Sequence, residues 1–130
     1  MIKVLGALIV VINKILLAQR SHGELKGMWE FPGGKIEDGE TEALAIKREI
    51  LEELGLEINA GKIIKVFKHK YPFSEIELSL IKCTLNDEQQ IIDLKGSHEK
   101  FDWVDYNTNN IELAPLDEKI FKYLKENYVI

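Results

Sequence analysis

The N-terminal sequence IKVLGALIVVINKILLAQR, residues 2–20, is the feature that most restricts the fold. Nearly all of its residues are apolar or small until Asn13 and Lys14 interrupt it. Residues 9–12 form an unbroken β-branched run, which favours extended structure. The apolar stretch is too short to span a bilayer, and no Ala-x-Ala cleavage pattern follows it, so we interpret it neither as a membrane helix nor as a secretory signal. It predicts two buried strands joined at Asn13–Lys14.

The middle of the chain predicts further strands. Residues 21–40 are rich in glycine and polar residues, which indicates a long connection containing a short strand near residues 29–31. Residues 57–72 and 74–85 alternate well enough to predict two more strands, as a hairpin or as neighbours in one sheet. Residues 99–106 predict another short strand.

Two segments predict helices. Thr41 can cap a helix over residues 42–54, and Gly55 can take the left-handed conformation that ends it. Residues 117–128 have the apolar spacing of a closing amphipathic helix, which starts near residues 115–117. Strands with helices before and after them predict an α/β fold, an α/β/α sandwich with a mixed β-sheet between helices, as a single domain over residues 1–130. With a rotation of about 100° per residue, the core-facing stripe of the first helix consists of Ala43, Ile46, Ile50 and Leu54.

The C-terminal end of the first helix carries an unusual concentration of acidic residues. Glu49, Glu52 and Glu53 are spaced by three and four residues, so their carboxylates share one face, where like charges repel. The helix dipole adds a cost of about 0.3–1 kcal/mol per carboxylate before solvent screening. One interpretation is a solvated acidic face. The alternative is a hard divalent cation such as Mg²⁺, which prefers carboxylate, carbonyl and water oxygens and would turn the repulsion into attraction.

The loop before this helix favours the cation. Phe31 and Pro32 are followed by Gly33 and Gly34, and glycines let the backbone approach a ligand closely. The loop leads into the N-terminus of the glutamate helix, so a carbonyl group of the glycine turn can complete a cation site. A carboxylate that is left over can orient or deprotonate water, which is the chemistry of metal-assisted hydrolysis.

The spacing of these residues resembles the Nudix box. Gly34 is followed after five residues by Glu40 and after seven more by REILEELGL at residues 48–56, so that residues 34–56 match every defined position of the 23-residue pattern. Further segments resemble the MutT branch of Nudix hydrolases: LAQR at 17–20, WEFPGGKIE at 29–37, YPF at 71–73, Trp103-Val104 and LAPLD at 113–117.

The resemblance implies cleavage of a nucleoside diphosphate linked to another group, by attack of water on phosphorus with Mg²⁺ or Mn²⁺. In the MutT branch the substrates are nucleoside triphosphates, which are hydrolysed to monophosphate and pyrophosphate. Modified nucleotides such as 8-oxo-dGTP or cytosine derivatives are the expected substrates, as in the sanitisation of a nucleotide pool. One alternative is another Nudix substrate, such as ADP-ribose or a dinucleoside polyphosphate. A nucleotide-binding sensor that does not hydrolyse is the alternative from another class, and the complete box counts against it.

The resemblance also implies roles for residues of the box. The implied metal ligands are the Gly34 carbonyl and the carboxylates of Glu49, Glu52 and Glu53. Arg48 would orient the glutamates through charge-assisted hydrogen bonds, and Glu40 would brace the loop against the helix. Glu49 or Glu53 is the candidate general base within the box.

Outside the box, the resemblance implies a nucleotide-binding region. Asp117 would read the edge of the base, Phe31 and Phe73 would lie near the base, and Arg20 would lie near the nucleotide. Asp117 stands where hydrolases of oxidised guanine nucleotides have asparagine. An aspartate offers only acceptors unless it is protonated. We therefore expect a preference for a cytosine derivative or another form of purine as the base.

One position departs from the MutT pattern. The branch often has a metal-binding or basic glutamate six residues before the tryptophan of the late strand, and this chain has Ser97 there. Glu99 lies two residues further on and would face the same side of a regular strand. We therefore take Glu99 as the candidate substitute ligand.

Charge and cysteine content indicate the kind of partner and compartment. The net charge of -5 argues against a nucleic-acid polymer, and the sequence predicts no membrane partner. The single cysteine, Cys83, lies in a strand pattern that predicts a core position, and it fits a reducing compartment, so we expect a cytoplasmic protein. The expected oligomeric state is a monomer or a homodimer. His22, His69 and His98 show no ligand spacing and are interpreted as surface or loop residues.

Overall fold

The computed structural model describes residues 1–108 and 110–127, and within them the chain forms seven strands and two helices. The elements are β1 (Ile2–Val11), β2 (Lys14–Arg20), β3 (Trp29–Glu30), β4 (Gly33–Lys35), α1 (Glu42–Leu54), β5 (Ile58–Lys70), β6 (Glu75–Leu85), β7 (His98–Val104) and α2 (Pro115–Asn127). Neither helix combines the length and the apolar character needed to cross a membrane, in the part of the chain that the structure describes.

Strand β1 lies in the middle of a mixed sheet. It pairs in parallel with β6 and antiparallel with β2 and β4. On one side the sheet is extended by β5, which pairs antiparallel with β6, and on the other side β3 and β7 both pair with β2. With one helix on each face, this arrangement is the predicted α/β/α sandwich.

Both faces of the sheet are buried. From β1, Leu5 and Ile9 pack in the cluster that contains helix α1, whereas Leu8 packs in the cluster that contains helix α2. A strand covered on both faces has no polar side, which explains the continuous apolar run at the N-terminus. Cys83 is buried in the α1 cluster, which confirms its predicted core position.

Helix α1 has the predicted bounds and caps. The side chain of Thr41 accepts a hydrogen bond from the Leu44 amide at 3.2 Å, and Gly55 has φ 66 and donates its N–H to the Leu51 carbonyl. The predicted core stripe was wrong at one position, because Ala43 is exposed and Ala45 is buried instead. The helical period gives the direction of a side chain but not the point along the axis where packing begins.

Two local features differ from the sequence prediction. The first hairpin turns at Ile12 and Asn13 rather than at Asn13–Lys14, with φ values of 49 and 61. Positive φ at both central residues is characteristic of a type I′ turn, whose twist matches that of the flanking strands. The sequence does not predict this turn, because Ile12 is β-branched and β-branched residues rarely adopt the left-handed conformation. In the structure Ile12 is 86% exposed. Strand β4 was also missed, since its Gly-Gly-Lys sequence has no apolar alternation.

The C-terminal elements lie close to their predicted positions. Strand β7 begins at His98, one residue before the predicted segment. Helix α2 begins at Pro115 and buries Ile120 and Leu124. Tyr128, the last residue of the predicted helix, lies outside the described residues.

Candidate active site

Strand β4 holds a glycine turn against strand β1 and helix α1. Gly33 pairs with Gly6, and Gly34 pairs with Leu5. A side chain at Gly33 would collide with the Leu5 carbonyl, and one at Gly34 would overlap the carboxyl group of Glu49. Glycine is therefore required at both positions because other groups lie directly against the backbone.

Arg48 joins helix α1 to the loop before it. Its Nε donates to Glu40 Oε2 at 2.7 Å and its Nη2 donates to Glu40 Oε1 at 2.8 Å, which is a bidentate pair. Nη2 also donates to the Lys35 carbonyl at 3.0 Å, and Glu40 Oε1 accepts from the Glu37 amide at 2.8 Å. The hydrogen bonds from Arg48, followed by the one from the Glu37 amide, lower the pKa of Glu40 to about 2.

The same guanidinium group reaches the acidic face of the helix. Arg48 Nη1 donates to Glu49 Oε1 at 3.0 Å and lies 3.3 Å from Glu52 Oε2 and 3.5 Å from Glu37 Oε1. Burial raises the pKa of Glu49, although the contact with Arg48 opposes this. Arg48 is thus the centre of a group that we call the Arg48 cluster, formed with Glu37, Glu40, Glu49 and Glu52.

Glu53 lies on the other side of the glycine turn. Its Oε1 accepts from the Gly33 amide at 3.1 Å, and its Oε2 lies 3.5 Å from the Ser97 hydroxyl. Among the described residues, Glu53 has no ion-pair partner. Burial raises the pKa of Glu53 to about 7; the nearby His98 ring opposes this rise, and the negative charges of Glu30 and Glu49 add to it.

The carboxylates of Glu49 and Glu53 lie against two adjacent glycines, and this arrangement fits a hard cation. Over residues 1–108 and 110–127, no three His, Cys, Asp or Glu side chains converge into a metal site of their own. Mg²⁺ does not need such a cage, since it is usually held by one or two carboxylates together with water and substrate phosphates. The raised pKa values of Glu49 and Glu53 mark negative charge that a cation would stabilise.

A cavity of about 160 Å³ opens beside Glu53. Arg20, Phe31 and Asp117 line it together with Tyr71. Asp117 is 6% exposed and its Oδ1 accepts from the Phe31 amide at 3.0 Å. Burial, and next the charge of Glu30, raises the pKa of Asp117 well above its ordinary value.

The structure does not bring all the predicted substrate residues together. Arg20, Phe31 and Asp117 share the cavity, but Phe73 does not line it. The Phe73 ring is 47% exposed and stacks on Tyr71, with 5.0 Å between ring centroids. Tyr71, whose hydroxyl accepts from the Leu116 amide at 3.0 Å, is the aromatic residue of this segment that reaches the cavity.

Glu99 is exposed and lies at an irregularity of strand β7. Gln19 pairs with Lys100 and Arg20 pairs with His98, so Glu99 is the extra residue of a β-bulge. The alternation that made Glu99 the substitute for Ser97 is therefore broken here. The Glu99 side chain forms no hydrogen bond or ion pair with another described residue, and its role as a metal ligand stays a prediction.

The bulge also explains an error in the interpretation of the histidines. His98 is a buried residue, not a surface one, and its Nε2 lies 2.9 Å from Glu30 Oε2. Glu30, which sequence reasoning did not select, also binds Arg20 at 3.0 Å. Only the joint pairing of β3 and β7 with β2 brings these residues together, and no local pattern in the sequence indicates it.

A mixed sheet between two helices, with an acidic helix held behind a glycine turn, defines a domain of the Nudix type. The family model of the NUDIX domain matches residues 3–125. An 8-oxo-dGTP diphosphatase of Proteus vulgaris is 36% identical over 86 residues, which cover 65% of this chain and 76% of that protein. A CTP pyrophosphohydrolase of Escherichia coli (strain K12) is 46% identical over 65 residues, which cover 49% of this chain and 48% of that protein.

The similarity extends to a solved structure. The solution structure of the E. coli ORF135 protein has a TM-score of 0.79 and 30% identity, and the match covers 99% of this chain and 91% of that one. This chain belongs to the Nudix family. It is a Nudix hydrolase, as its resemblance to the box implied.

Proposed function

We propose that this Nudix hydrolase is a Mg²⁺-dependent nucleoside triphosphate pyrophosphohydrolase that acts on modified nucleotides. Its substrates would be compounds such as 8-oxo-dGTP or cytosine derivatives, converted to monophosphate and pyrophosphate and so removed from the nucleotide pool. The observation that carries the proposal is the position of Glu49 and Glu53 at the glycine turn, next to a cavity that holds Asp117. The names of the two similar relatives support this class of substrate.

The metal in this proposal is Mg²⁺, with Mn²⁺ as a substitute. Its ligands would come from the Gly34 carbonyl and from the carboxylates of Glu49, Glu52 and Glu53. When bound, the cation neutralises phosphate charge and lowers the pKa of the attacking water. Arg48 holds Glu49 and Glu52 in place, and Glu40 braces Arg48 against the loop. Glu49 or Glu53 would be the general base, since both carboxylates lie at the glycine turn beside the proposed cation.

The cavity beside Glu53 would take the base of the nucleotide. Its volume of about 160 Å³ is smaller than the roughly 300–1,000 Å³ of a typical small-molecule pocket, so only part of a nucleotide fits inside. The phosphates then extend toward the glutamates. Asp117 would contact the edge of the base, Phe31 would lie near the base, and Arg20 would lie beside the nucleotide. An ionised Asp117 accepts from amino groups, whereas a protonated one can also donate.

We further propose that the partner is a nucleotide and not a nucleic-acid polymer or a membrane. The net charge of -5 disfavours binding to a phosphate polymer. A cytoplasmic monomer or homodimer completes the proposal.

A substrate panel tests the proposal. The protein is incubated with Mg²⁺ and, separately, 8-oxo-dGTP, 5-methyl-dCTP, ordinary triphosphates, ADP-ribose and a dinucleoside tetraphosphate. We expect monophosphate and pyrophosphate from one or more triphosphates. Turnover of only the last two substrates would replace the proposal by another Nudix specificity. Binding without turnover under Mg²⁺ and Mn²⁺ would indicate a sensor.

A further inference from the structure

We propose that His98 is a positioning residue that acts through Glu30 to fix Arg20 on the wall of the cavity. The inference rests on the proposed role of this cavity in nucleotide binding. It concerns a buried side chain to which the proposed function assigns no role. Its Nδ1 lies 3.3 Å from the Ser97 hydroxyl, which in turn lies 3.5 Å from Glu53 Oε2.

The geometry is a chain of three side chains from three strands. The His98 side chain is 1% exposed, and its Nε2 lies 2.9 Å from Glu30 Oε2. A carboxylate offers only acceptors, so Nε2 carries the hydrogen and donates. Arg20 Nη1 donates to both oxygens of the same carboxylate, at 3.0 and 3.3 Å. Glu30 is therefore held between two donors, one of which faces the cavity.

Glu30 needs both donors because its surroundings are negative. Besides burial, the charge of Glu30 raises the pKa of Glu53 and of Asp117, so Glu30 is repelled by both of these carboxylates. Without these two donors, repulsion would favour conformations of the Glu30 side chain that point away from Glu53 and Asp117. The bulge in β7 turns His98 inward, where it can prevent this rotation.

The position of Glu30 in turn determines the position of Arg20. Among the described residues that line the cavity, Arg20 is the one cation. Its side chain is long and partly exposed, and an anchored guanidinium loses less conformational freedom when a nucleotide binds. His98 reaches Arg20 through the short contact with Glu30 and reaches Glu53 only through the long 3.5 Å contact of Ser97, so we expect its loss to raise KM more than it lowers kcat.

The experiment compares His98→Leu with His98→Gln, with Glu30→Gln and with the double variant Glu30→Gln/His98→Leu. His22→Leu is the matched control, because His22 is exposed and lies outside the cavity lining. Each protein is assayed with Mg²⁺ and the triphosphate that the wild type hydrolyses best, and melting temperatures are recorded in parallel.

We expect His98→Leu to raise KM about 10-fold or more with kcat within about 3-fold of the wild type, since a buried hydrogen bond to a charged group is lost. The side-chain amide of His98→Gln can donate near the position of Nε2 and should restore KM to within about 3-fold of the wild type. The double variant should have the KM of Glu30→Gln within about 3-fold, because residues that act in series are not additive.

Two outcomes of the kinetic comparison overturn the inference. A lower melting temperature of His98→Leu with unchanged KM shows that His98 only supports the fold, and multiplied KM effects in the double variant show that it does not act through Glu30. Titrations of 8-oxo-dGTP and dCTP with Ca²⁺ in place of Mg²⁺ measure affinity without turnover. A wild type that binds but does not hydrolyse refutes the proposed function, and equal affinities of wild type and His98→Leu then refute this inference. A wild type that neither binds nor hydrolyses refutes both.

Discussion

The two sides of the glycine turn carry negative charge in different ways. In the Arg48 cluster the acidic side chains surround one guanidinium group, and the pKa of Glu40 is lowered to about 2. On the cavity side, Glu53 receives a hydrogen bond from the Gly33 amide, and burial raises its pKa to about 7. Within that cluster the protein supplies one positive charge of its own, which pairs most closely with Glu40. On the second side Glu53 has no ion-pair partner among the described residues, which is the property expected of a group that a cation approaches.

Replacement of Glu53, on the cavity side of the glycine turn, should have the largest effect on activity. We expect Glu53→Gln to lower kcat about 100-fold or more, because it removes a metal-binding carboxylate and a candidate base while leaving a side chain of the same size. The control is Glu57→Gln, an exposed glutamate four residues along the chain. Steady-state assays with the best triphosphate measure both variants, and circular dichroism checks that the fold survives. Unchanged rates in Glu53→Gln would refute the metal assignment.

The titration of Glu53 should make the stability of the protein depend on pH. The pKa of Glu53 is raised from 4.5 to about 7 in the folded state. Between these values the folded state binds more protons than the unfolded state, so the free energy of unfolding falls as pH rises through this window. The contribution of Glu53 is at most about 3 kcal/mol, and it is fully lost above the folded pKa.

Melting temperatures in EDTA at pH 5 and pH 8 measure this effect. We expect the wild type to lose stability across that range relative to Glu53→Gln, whose amide does not titrate. Mg²⁺ at pH 8 should then stabilise the wild type, since a ligand that binds only the folded state raises the melting temperature. An identical pH dependence of the two proteins would contradict the assigned burial of Glu53.

The sequence revealed the part of the site in which the signals are local. Thr41, Gly55 and the spacing of the glutamates all belong to one helix and its caps, and the structure has them as predicted. The contacts of Glu30 and His98 depend on strand pairing between distant segments and on a bulge that reverses the inward side of β7. Alternation along a single strand could not reveal them, and for the same reason it selected Glu99.

The layers of the fold were also predictable, while single turns were not. Apolar runs indicate burial on both faces of a sheet whatever the exact register. The turn at Ile12 and Asn13 depends on backbone conformations that its first residue disfavours, so tertiary pairing overrides local preference there.

Replacement of Arg48 tests whether the Arg48 cluster holds the glutamates in place. Lysine keeps the charge of Arg48 but cannot reproduce the bidentate pair with Glu40, so we expect both Arg48→Lys and Arg48→Gln to lower kcat/KM about 10- to 100-fold through misplaced glutamates. The control is Lys47→Gln at the exposed neighbouring position. Activity titrated against Mg²⁺ concentration should show a weaker metal response for both Arg48 variants. Full activity of Arg48→Lys would show that charge alone is sufficient.

The smallest expected effect distinguishes two members of the Arg48 cluster. Glu37 is 67% exposed and lies 3.5 Å from Arg48, so Glu37→Gln should change the free energy of unfolding by less than about 0.5 kcal/mol. Glu40 forms the bidentate pair and also accepts from the Glu37 amide, so Glu40→Gln should be the more destabilising variant. Urea unfolding at pH 7 compares the two directly. As pH falls from 4.5 toward 2 the difference should shrink, because Glu40 takes up a proton in the unfolded state while it stays charged in the folded state. Equal losses from the two substitutions would mean that Arg48 is held by the summed charge of the cluster and not by its contact with Glu40.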